Sequence, residues 1–198
     1  MRRGALVTMY AGTHAAFRPL TGPPLARFAA RHGYEVIEVI PYPEYHPAWS
    51  KLPALTAALA NRDVVLWVDA DVFVVDITAD PADALSDETF MAILTDDRYG
   101  LCSALFAMRA CPTTDRFLSQ AWELRDRDYP DWDQGAIHEL AGRDEYISGV
   151  VRLGHDWYGP EGSNPRGRIV HGCRQTGATV PDRVDGLRIR ANRRLHAP

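Results

Sequence analysis

The order of its elements predicts an α/β fold for this chain, with a mixed, mostly parallel central sheet flanked by helices. In the first third, short apolar runs of strand type alternate with segments of helical spacing, and such strand–helix–strand units favour right-handed crossovers between parallel strands. The length of 198 residues fits one domain, and 46% hydrophobic with 24% charged residues are ordinary globular values. The composition therefore excludes a disordered tail protein, a collagen-like chain and a coiled coil.

The first half of the chain predicts three strands separated by two helices. Continuous apolar runs place the strands at residues 5–9, 35–40 and 63–68, and the second helix is expected at residues 52–60. The first helix has Pro23 and Pro24 in its first turn and Gly33 as its C-cap. The third strand is so uniformly apolar that we expect it at the centre of the sheet.

The second half is less regular and richer in loops. Strands are expected at residues 90–94 and 104–108 and near residues 150–151 and 169–170, and a helix at residues 133–140. Another helix, capped by Thr113 or Thr114, runs through Leu124. The basic segment at residues 183–194 is interpreted as a solvated surface or a frayed end.

Charge and cysteine content narrow the class of protein further. The net charge of −4 argues against a general electrostatic grip on nucleic acid, which needs clustered cations. The three cysteines form no CxxC pair, so neither a disulfide framework nor a zinc knuckle is expected. The short apolar run near the N-terminus predicts a strand rather than a signal peptide, and no segment approaches the roughly 20 apolar residues of a membrane span. We therefore expect a cytoplasmic protein.

Two carboxylates directly follow the predicted central strand. Asp69 and Asp71 are one residue apart, between the apolar runs at residues 64–68 and 72–75. In open α/β sheets ligands bind beyond the carboxyl ends of strands, and Mg²⁺ and Mn²⁺ prefer oxygen ligands. A polar turn between two strands is the alternative. Two acids in an apolar run are costly unless something compensates them, and a metal is the simplest compensator.

Several segments resemble one enzyme family. Residues 65–71, VLWVDAD, resemble the DxD signature of GT-A glycosyltransferases, most closely the retaining fungal and plant α-galactosyl- and α-xylosyltransferases and more distantly the glycogenin-like group. Further similar segments follow the family's order along the chain: residues 32–34 (HGY), 49–55 (WSKLPAL), 131–136 (DWDQGA) and 169–172 (IVHG). The shared order makes the resemblance more specific than any single segment.

The resemblance implies a single GT-A, Rossmann-like domain over residues 1–198. Residues 1–76 would form the nucleotide-binding half ending in the DxD pair, residues 77–180 the donor-sugar and acceptor half, and residues 181–198 a basic C-terminal tail. The implied activity is metal-dependent transfer of a sugar from a nucleotide-sugar, a UDP-sugar, to a small-molecule or glycan acceptor with retention. The short chain favours a small acceptor, or a homodimer or partner chain that completes the site.

The resemblance also assigns roles to residues at the metal and the nucleotide. Asp69, Asp71 and His171 are the implied metal ligands for Mn²⁺ or Mg²⁺, and an imidazole beside carboxylates tilts the preference toward Mn²⁺. The residues expected at the nucleotide are Thr8, Tyr10, Gly12, Lys51, Asp69, Ala70 and Arg174. Gly12 allows close backbone approach, and Tyr10 would stack on the base. Lys51 would contact a phosphate or the acid pair, and Arg174 would meet the diphosphate. The alternatives are a strand-end histidine at His171, a core aromatic at Tyr10 and a solvated lysine at Lys51.

The implied catalytic residues are Asp133 and Gln134, which face the sugar in the family. Sugar transfer passes through an oxocarbenium-like state, and a carboxylate or amide oxygen can stabilise its positive charge. An N-capping aspartate is the alternative for Asp133. The segment at residues 101–106, LCSALF, lacks the Asn-x-Gly pattern that relatives carry for the donor sugar, so the sugar's identity stays open.

Acceptor selectivity is expected in aromatic loops, whose rings could stack on a sugar or pack internally. Those rings belong to Tyr42, Tyr45, Trp49, Trp157 and Tyr158. Two other functions stay open. A nucleotidyltransferase would need a glycine-rich, basic triphosphate loop, whereas the first loop has one glycine and no lysine. A nucleotide- or sugar-binding domain without turnover is the non-enzymatic alternative.

Overall fold

A six-stranded mixed sheet forms the centre of the protein. The structure is a computed structural model that describes residues 3–96, 100–154, 156–157, 168–171 and 180–195. The strands of this sheet are β1 (Gly4–Thr8), β2 (Tyr34–Glu38), β3 (Val64–Val68), β5 (Met91–Asp96), β6 (Gly100–Arg109) and β7 (Val150–Leu153). A separate antiparallel pair consists of β4 (Val72–Val74) and β8 (Ile169–His171). The helices are α1 (Arg18–His32), α2 (Lys51–Leu59), α3 (Pro112–Glu123), α4 (Asp133–Ala141), α5 (Asp144–Ile147) and α6 (Val180–Leu195).

The strand order of the sheet is β2–β1–β3–β6–β5–β7. β1 is parallel to both β2 and β3, and β5 is parallel to β7, whereas β6 runs antiparallel to β3 and β5. This arrangement confirms the predicted fold class, a mixed and mostly parallel sheet flanked by helices. All five residues of β3 are buried, as its continuous apolar run predicted for a central strand.

Alternating side chains of β3 divide the core between the two faces of the sheet. Val65 and Trp67 join a cluster with apolar side chains of α2, α3 and α4, while Leu66 joins a cluster with α1. A third, smaller cluster contains Phe17, Phe73, Val170, Leu187 and Ala191. This third cluster fixes α6 against the β4–β8 pair.

Two helix starts differ from their predictions. α1 begins at Arg18, so Pro23 and Pro24 lie inside it and not in its first turn. The residues before it, Gly12–Phe17, already form a 3₁₀ helix, and the buried hydroxyl of Thr21 bonds the carbonyl of Ala70 at 2.8 Å. That tertiary contact stabilises the first turns of the helix and so offsets the free-energy cost of placing proline inside it.

The start of α3 also differs. Its N-cap is Cys111, with Pro112 at the first helical position, so neither Thr113 nor Thr114 is the cap. The hydroxyl of Thr114 donates instead to the carbonyl of Arg109 at 2.6 Å. Proline suits the first helical position because its missing N–H is one that a helix start leaves unbonded anyway.

The basic C-terminal segment is a packed helix. α6 buries Leu187 and Ala191 in the third cluster, so the expected frayed end is wrong. The solvated surface is correct for the other face of the helix, where Arg188 and Ile189 are exposed. The apolar face of this helix is difficult to recognise in the sequence, because arginine dominates the composition of the segment. Leu187 and Ala191 are nevertheless spaced i, i+4, as residues on one face of a helix are. Within the described ranges, no helix combines the length and apolar character that crossing a bilayer requires.

Candidate metal and nucleotide site

Asp69, Asp71 and His171 meet at the carboxyl end of β3. The backbone N–H of Asp69 donates to the carbonyl of Ala104 on β6 at 2.8 Å, which fixes the chain as it leaves the sheet. Val72 then pairs with His171 across the β4–β8 ladder, so the histidine lies beside the turn. One ligand atom from each of the three side chains lies within 4.8 Å of the other two.

Asp71 is the buried member of this cluster. Its Oδ1 lies 3.3 Å from Nε2 of His171, and its Oδ2 accepts from Nη2 of Arg183 at 2.6 Å. Burial alone would raise the pKa of Asp71, but His171 and Arg183 outweigh it and hold the pKa well below its ordinary value. Asp71 is therefore ionised at neutral pH.

Asp69 is more open than Asp71. Its side chain is 32% exposed, and its Oδ1 accepts from the indole Nε1 of Trp67 at 2.5 Å. The same oxygen lies 3.4 Å from Nζ of Lys51. Two carboxylates and an imidazole that converge in this way form a donor set suited to Mn²⁺ or Mg²⁺, so the residues present fit the predicted cation.

Lys51 links Asp69 to the predicted catalytic segment. It is the only lysine of the sequence, and it is 3% exposed. Its Nζ lies 2.7 Å from Oδ2 of Asp133 and donates to the carbonyl and the hydroxyl of Ser103 at 3.0 and 3.1 Å. Burial alone would lower the pKa of Lys51, but Asp133 and Asp69 outweigh it and raise the pKa. The solvated-lysine alternative is therefore wrong.

Asp133 and Gln134 are the first two residues of α4, and their side chains contact β6. The hydroxyl of Ser103 donates to Oδ2 of Asp133 at 3.1 Å, and the N–H of Ser103 donates to Oε1 of Gln134 at 3.1 Å. The N-cap of α4 is Trp132, so the capping alternative for Asp133 is wrong. The two predicted catalytic residues are thus held against the segment that lacks the Asn-x-Gly pattern.

Trp132 carries an unusual backbone conformation next to this site. Its φ of 47° makes it the one non-glycine residue with positive φ in the described part of the chain. Its ring stacks on His46 with centroids 3.9 Å apart and planes 5° from parallel. Such backbone strain is found at functional sites more often than elsewhere.

The predicted nucleotide residues lie around the end of β1. Thr8 is the buried last residue of β1, and Ala70 lies between the two cluster aspartates. Gly12 has a φ of +52°, and a side chain there would meet open space. Tyr10 bonds Thr21 at 3.2 Å through its hydroxyl, and Arg174 lies outside the described residues.

The aromatic loop residues divide between packing and surface. Trp49 is buried in the core, Tyr45 packs edge-on against Trp122, and Trp157 packs against the α1 side of the core. Tyr42 is 50% exposed, and Tyr158 lies outside the described residues. The packing alternative is therefore correct for Trp49, Tyr45 and Trp157.

Sequence reasoning missed two site residues, Ser103 and Arg183. Ser103 binds Lys51, Asp133 and Gln134, yet in the sequence it is one small polar residue in an apolar strand. Arg183 binds Asp71, and its Nη1 lies 3.5 Å from Nε2 of His14. Asp71 and Arg183 are 112 positions apart in the chain, and no local sequence pattern reveals such a pairing.

The fold is one shared with solved glycosyltransferases, and in this chain it brings Asp69, Asp71 and His171 together at the end of the central strand. A glycosyltransferase involved in the glycosylation of the major capsid of PBCV-1 superposes with a TM-score of 0.75 over 94% of this chain and 99% of that chain, at 12% identity. No protein-family model and no curated protein sequence matches the chain.

Two further solved structures are similar over part of their length. The bifunctional glycosyltransferase WbbM has a TM-score of 0.63 at 10% identity, covering 98% of this chain and 52% of WbbM. The glycosyltransferase GlyE of Streptococcus pneumoniae TIGR4 has a TM-score of 0.51 at 14% identity, covering 80% of this chain and 46% of GlyE. At these identities the likeness establishes the fold, and the resemblance to the retaining α-galactosyl- and α-xylosyltransferases stays a prediction.

Proposed function

We propose that the protein is a metal-dependent glycosyltransferase that moves a sugar from a UDP-sugar to a small-molecule or glycan acceptor, with retention. One observation carries the proposal: Asp69, Asp71 and His171 converge at the carboxyl end of the central strand, in a fold shared with solved glycosyltransferases. That edge of an open α/β sheet is where ligands bind.

The cluster would hold Mn²⁺ in preference to Mg²⁺, because an imidazole accompanies the carboxylates. When bound, the cation offsets the charge of the departing diphosphate. Asp71 supplies a carboxylate that stays ionised, because its pKa is held low. Asp69 is more exposed than Asp71 and would be the ligand nearer to the solvent and the donor.

The nucleotide would lie against the loop that follows β1. Gly12 presents backbone with free space above it, which permits close approach of a ligand. Thr8, Tyr10 and Ala70 surround the end of that strand, and the bond from Tyr10 to Thr21 orients the phenol ring. We assign the base and ribose to this loop and the diphosphate to the cation cluster.

Asp133 and Gln134 would stabilise the positive charge that develops on the sugar. Lys51 holds Oδ2 of Asp133 at 2.7 Å and approaches Asp69 at 3.4 Å, so one buried ammonium ties the catalytic segment to the cation cluster. A rigid tie of this kind keeps the two groups at a set separation, which transition-state stabilisation requires. The acceptor would approach past the exposed Tyr42 and the stacked His46–Trp132 pair.

The test is release of UDP from a panel of UDP-sugars with Mn²⁺, with and without simple sugar acceptors. We expect release from at least one donor, a loss of at least a hundredfold in Asp71→Asn and Asp133→Asn, and little change in the control Asp76→Asn. Asp76 is a carboxylate outside the cluster, paired with Arg168. Retention is read from the anomeric configuration of the product by NMR.

The same assay separates the alternatives. Donor binding without any UDP release would indicate a binding domain and contradict the enzyme proposal. Release of pyrophosphate from a nucleoside triphosphate and a sugar phosphate would indicate a nucleotidyltransferase. UDP release that is insensitive to Asp71→Asn would contradict the role given to the cluster.

A further inference from the structure

Arg183 of α6 reaches into the acidic cluster from outside the sheet. Its Nη2 lies 2.6 Å from Oδ2 of Asp71, and its side chain is 10% exposed. The guanidinium carbon lies 5.3 Å from the centre of the Phe17 ring, and Nη1 lies 3.5 Å from Nε2 of His14. The arginine therefore packs against the 3₁₀ helix Gly12–Phe17, which begins at the glycine assigned to the nucleotide.

The Arg183 contact uses one of the two oxygens that Asp71 could offer a cation. The other oxygen, Oδ1, already faces Nε2 of His171 at 3.3 Å. A divalent ion bound among Asp69, Asp71 and His171 would stand close to the guanidinium, and like charges at such short range repel strongly in a partly buried site. The present ion pair and a bound cation therefore oppose each other.

The helix that carries Arg183 has an anchor independent of this ion pair. Leu187 and Ala191 are buried against Phe17, Phe73 and Val170. Arg183 lies one turn before Leu187, nearer to the start of α6. The first turn of α6 can thus give up Asp71 while the later turns stay packed.

We propose that Arg183 and the divalent cation exclude each other at Asp71, so that Arg183 occupies the carboxylate when the cation is absent and leaves it when the cation binds. This inference rests on the cation site of the proposed function. It makes α6 a self-inhibiting element of the site: cation binding loosens the first turn of the helix, and docking of that turn weakens cation binding by the same factor.

The first experiment measures Mn²⁺ binding alone by calorimetry, without a nucleotide. We expect Arg183→Gln to bind Mn²⁺ about tenfold more tightly than the unaltered protein, within the usual range of coupling between sites. The matched control is Arg188→Gln, which removes an exposed arginine of the same helix that pairs with Asp185 at 3.0 Å. Its Mn²⁺ affinity should equal that of the unaltered protein, and circular dichroism checks that each variant folds.

The second experiment uses the unaltered protein, so it does not depend on the folding of a variant. We expect Mn²⁺ to speed amide hydrogen exchange at residues 183–186 of α6 and to leave exchange in β6 unchanged. Exchange reports local opening of a helix directly. Slower exchange at residues 183–186 on adding Mn²⁺ would overturn the proposal.

The outcomes separate this inference from the proposed function. If Mn²⁺ binds the unaltered protein and Asp71→Asn abolishes that binding, but Arg183→Gln binds no more tightly, only the exclusion at Asp71 is wrong. If neither the unaltered protein nor Arg183→Gln binds Mn²⁺ through Asp71, the cation site itself is wrong and both proposals fail. If Arg183→Gln binds Mn²⁺ tightly and the unaltered protein does not, the result would support the mutual exclusion of Arg183 and the cation most strongly.

Discussion

At the scale of single residues, Lys51 holds the ionic structure of the site together. Its ammonium group is buried and meets Asp133, Ser103 and, at longer range, Asp69. An ammonium donates up to three hydrogen bonds from one compact point, whereas the planar fork of an arginine could not reach the same acceptors in the same space. In a chain whose other basic side chains are all arginine or histidine, this one lysine has a specific geometric role.

We expect Lys51→Met to lower the free energy of unfolding by about 3 kcal/mol, because it leaves the buried carboxylate of Asp133 without its partner. Urea denaturation at pH 7 measures this change. The double variant Lys51→Met with Asp133→Asn removes both charges and should recover part of the loss. A single variant within about 0.5 kcal/mol of the unaltered protein would contradict the pairing.

At the scale of elements, the position of α4 depends on its packing against Tyr129, which lies shortly before the helix in the chain. Gly135 leaves room for the ring of Tyr129, whose Cδ1 would lie 2.6 Å from an added Cβ. The Tyr129 hydroxyl donates to Glu139, one turn further along the helix, which holds the ring in place. This packing sets the direction in which α4 presents Asp133 and Gln134 to the site.

We expect Gly135→Ala to destabilise the protein by about 1–2 kcal/mol, because overpacking against Tyr129 exceeds the roughly 1 kcal/mol that alanine gains in helix propensity. Thermal or urea unfolding measures the change. The matched control is Gly142→Ala at the other end of α4, where the nearest atom lies 3.6 Å from the added Cβ. Gly142→Ala should change the free energy of unfolding by no more than about 0.5 kcal/mol. If Gly135→Ala instead stabilised the protein, the Tyr129 ring would have moved aside, which would contradict the expected overpacking.

At the scale of the whole molecule, the site joins segments that are distant in the chain. α2 contributes Lys51, the turn after β3 contributes Asp69 and Asp71, α4 contributes Asp133, and β8 and α6 contribute His171 and Arg183. The site lies where the large sheet gives way to the β4–β8 pair. A ligand that binds all of these segments should stabilise the fold as a unit.

We therefore expect Mn²⁺ with UDP to raise the unfolding midpoint by roughly 10–20 °C when each is present at about a hundred times its dissociation constant. Asp71→Asn should abolish the shift, and Asp76→Asn should retain it, although its own midpoint can differ. The measurement is thermal unfolding with Mn²⁺, UDP, both and neither. Equal shifts in the two variants would contradict binding through the cluster.

Local pattern predicted most of the sheet and its flanking helices. The uniform apolar runs placed β1 and β3 within one residue of their observed bounds, because burial on both faces leaves no polar alternation. The predicted strand at residues 104–108 is only part of β6, which begins four residues earlier, at Gly100. The starts of α1 and α3 were predicted wrongly. In both cases a buried threonine hydroxyl finds a partner elsewhere, Thr21 on Ala70 and Thr114 on Arg109, and such partners are set by tertiary packing.

The sequence by itself determined the fold class and the acidic pair after the central strand, since hydrophobic periodicity and the cost of burying two carboxylates are both local properties. Only the tertiary structure decided which positively charged side chains those acids contact. Lys51 lies between Asp69 and Asp133, and the basic segment expected to be solvated forms α6 and places Arg183 on Asp71. Electrostatic pairing acts through space at a few ångströms, so partners far apart in the chain leave no periodic signal in it.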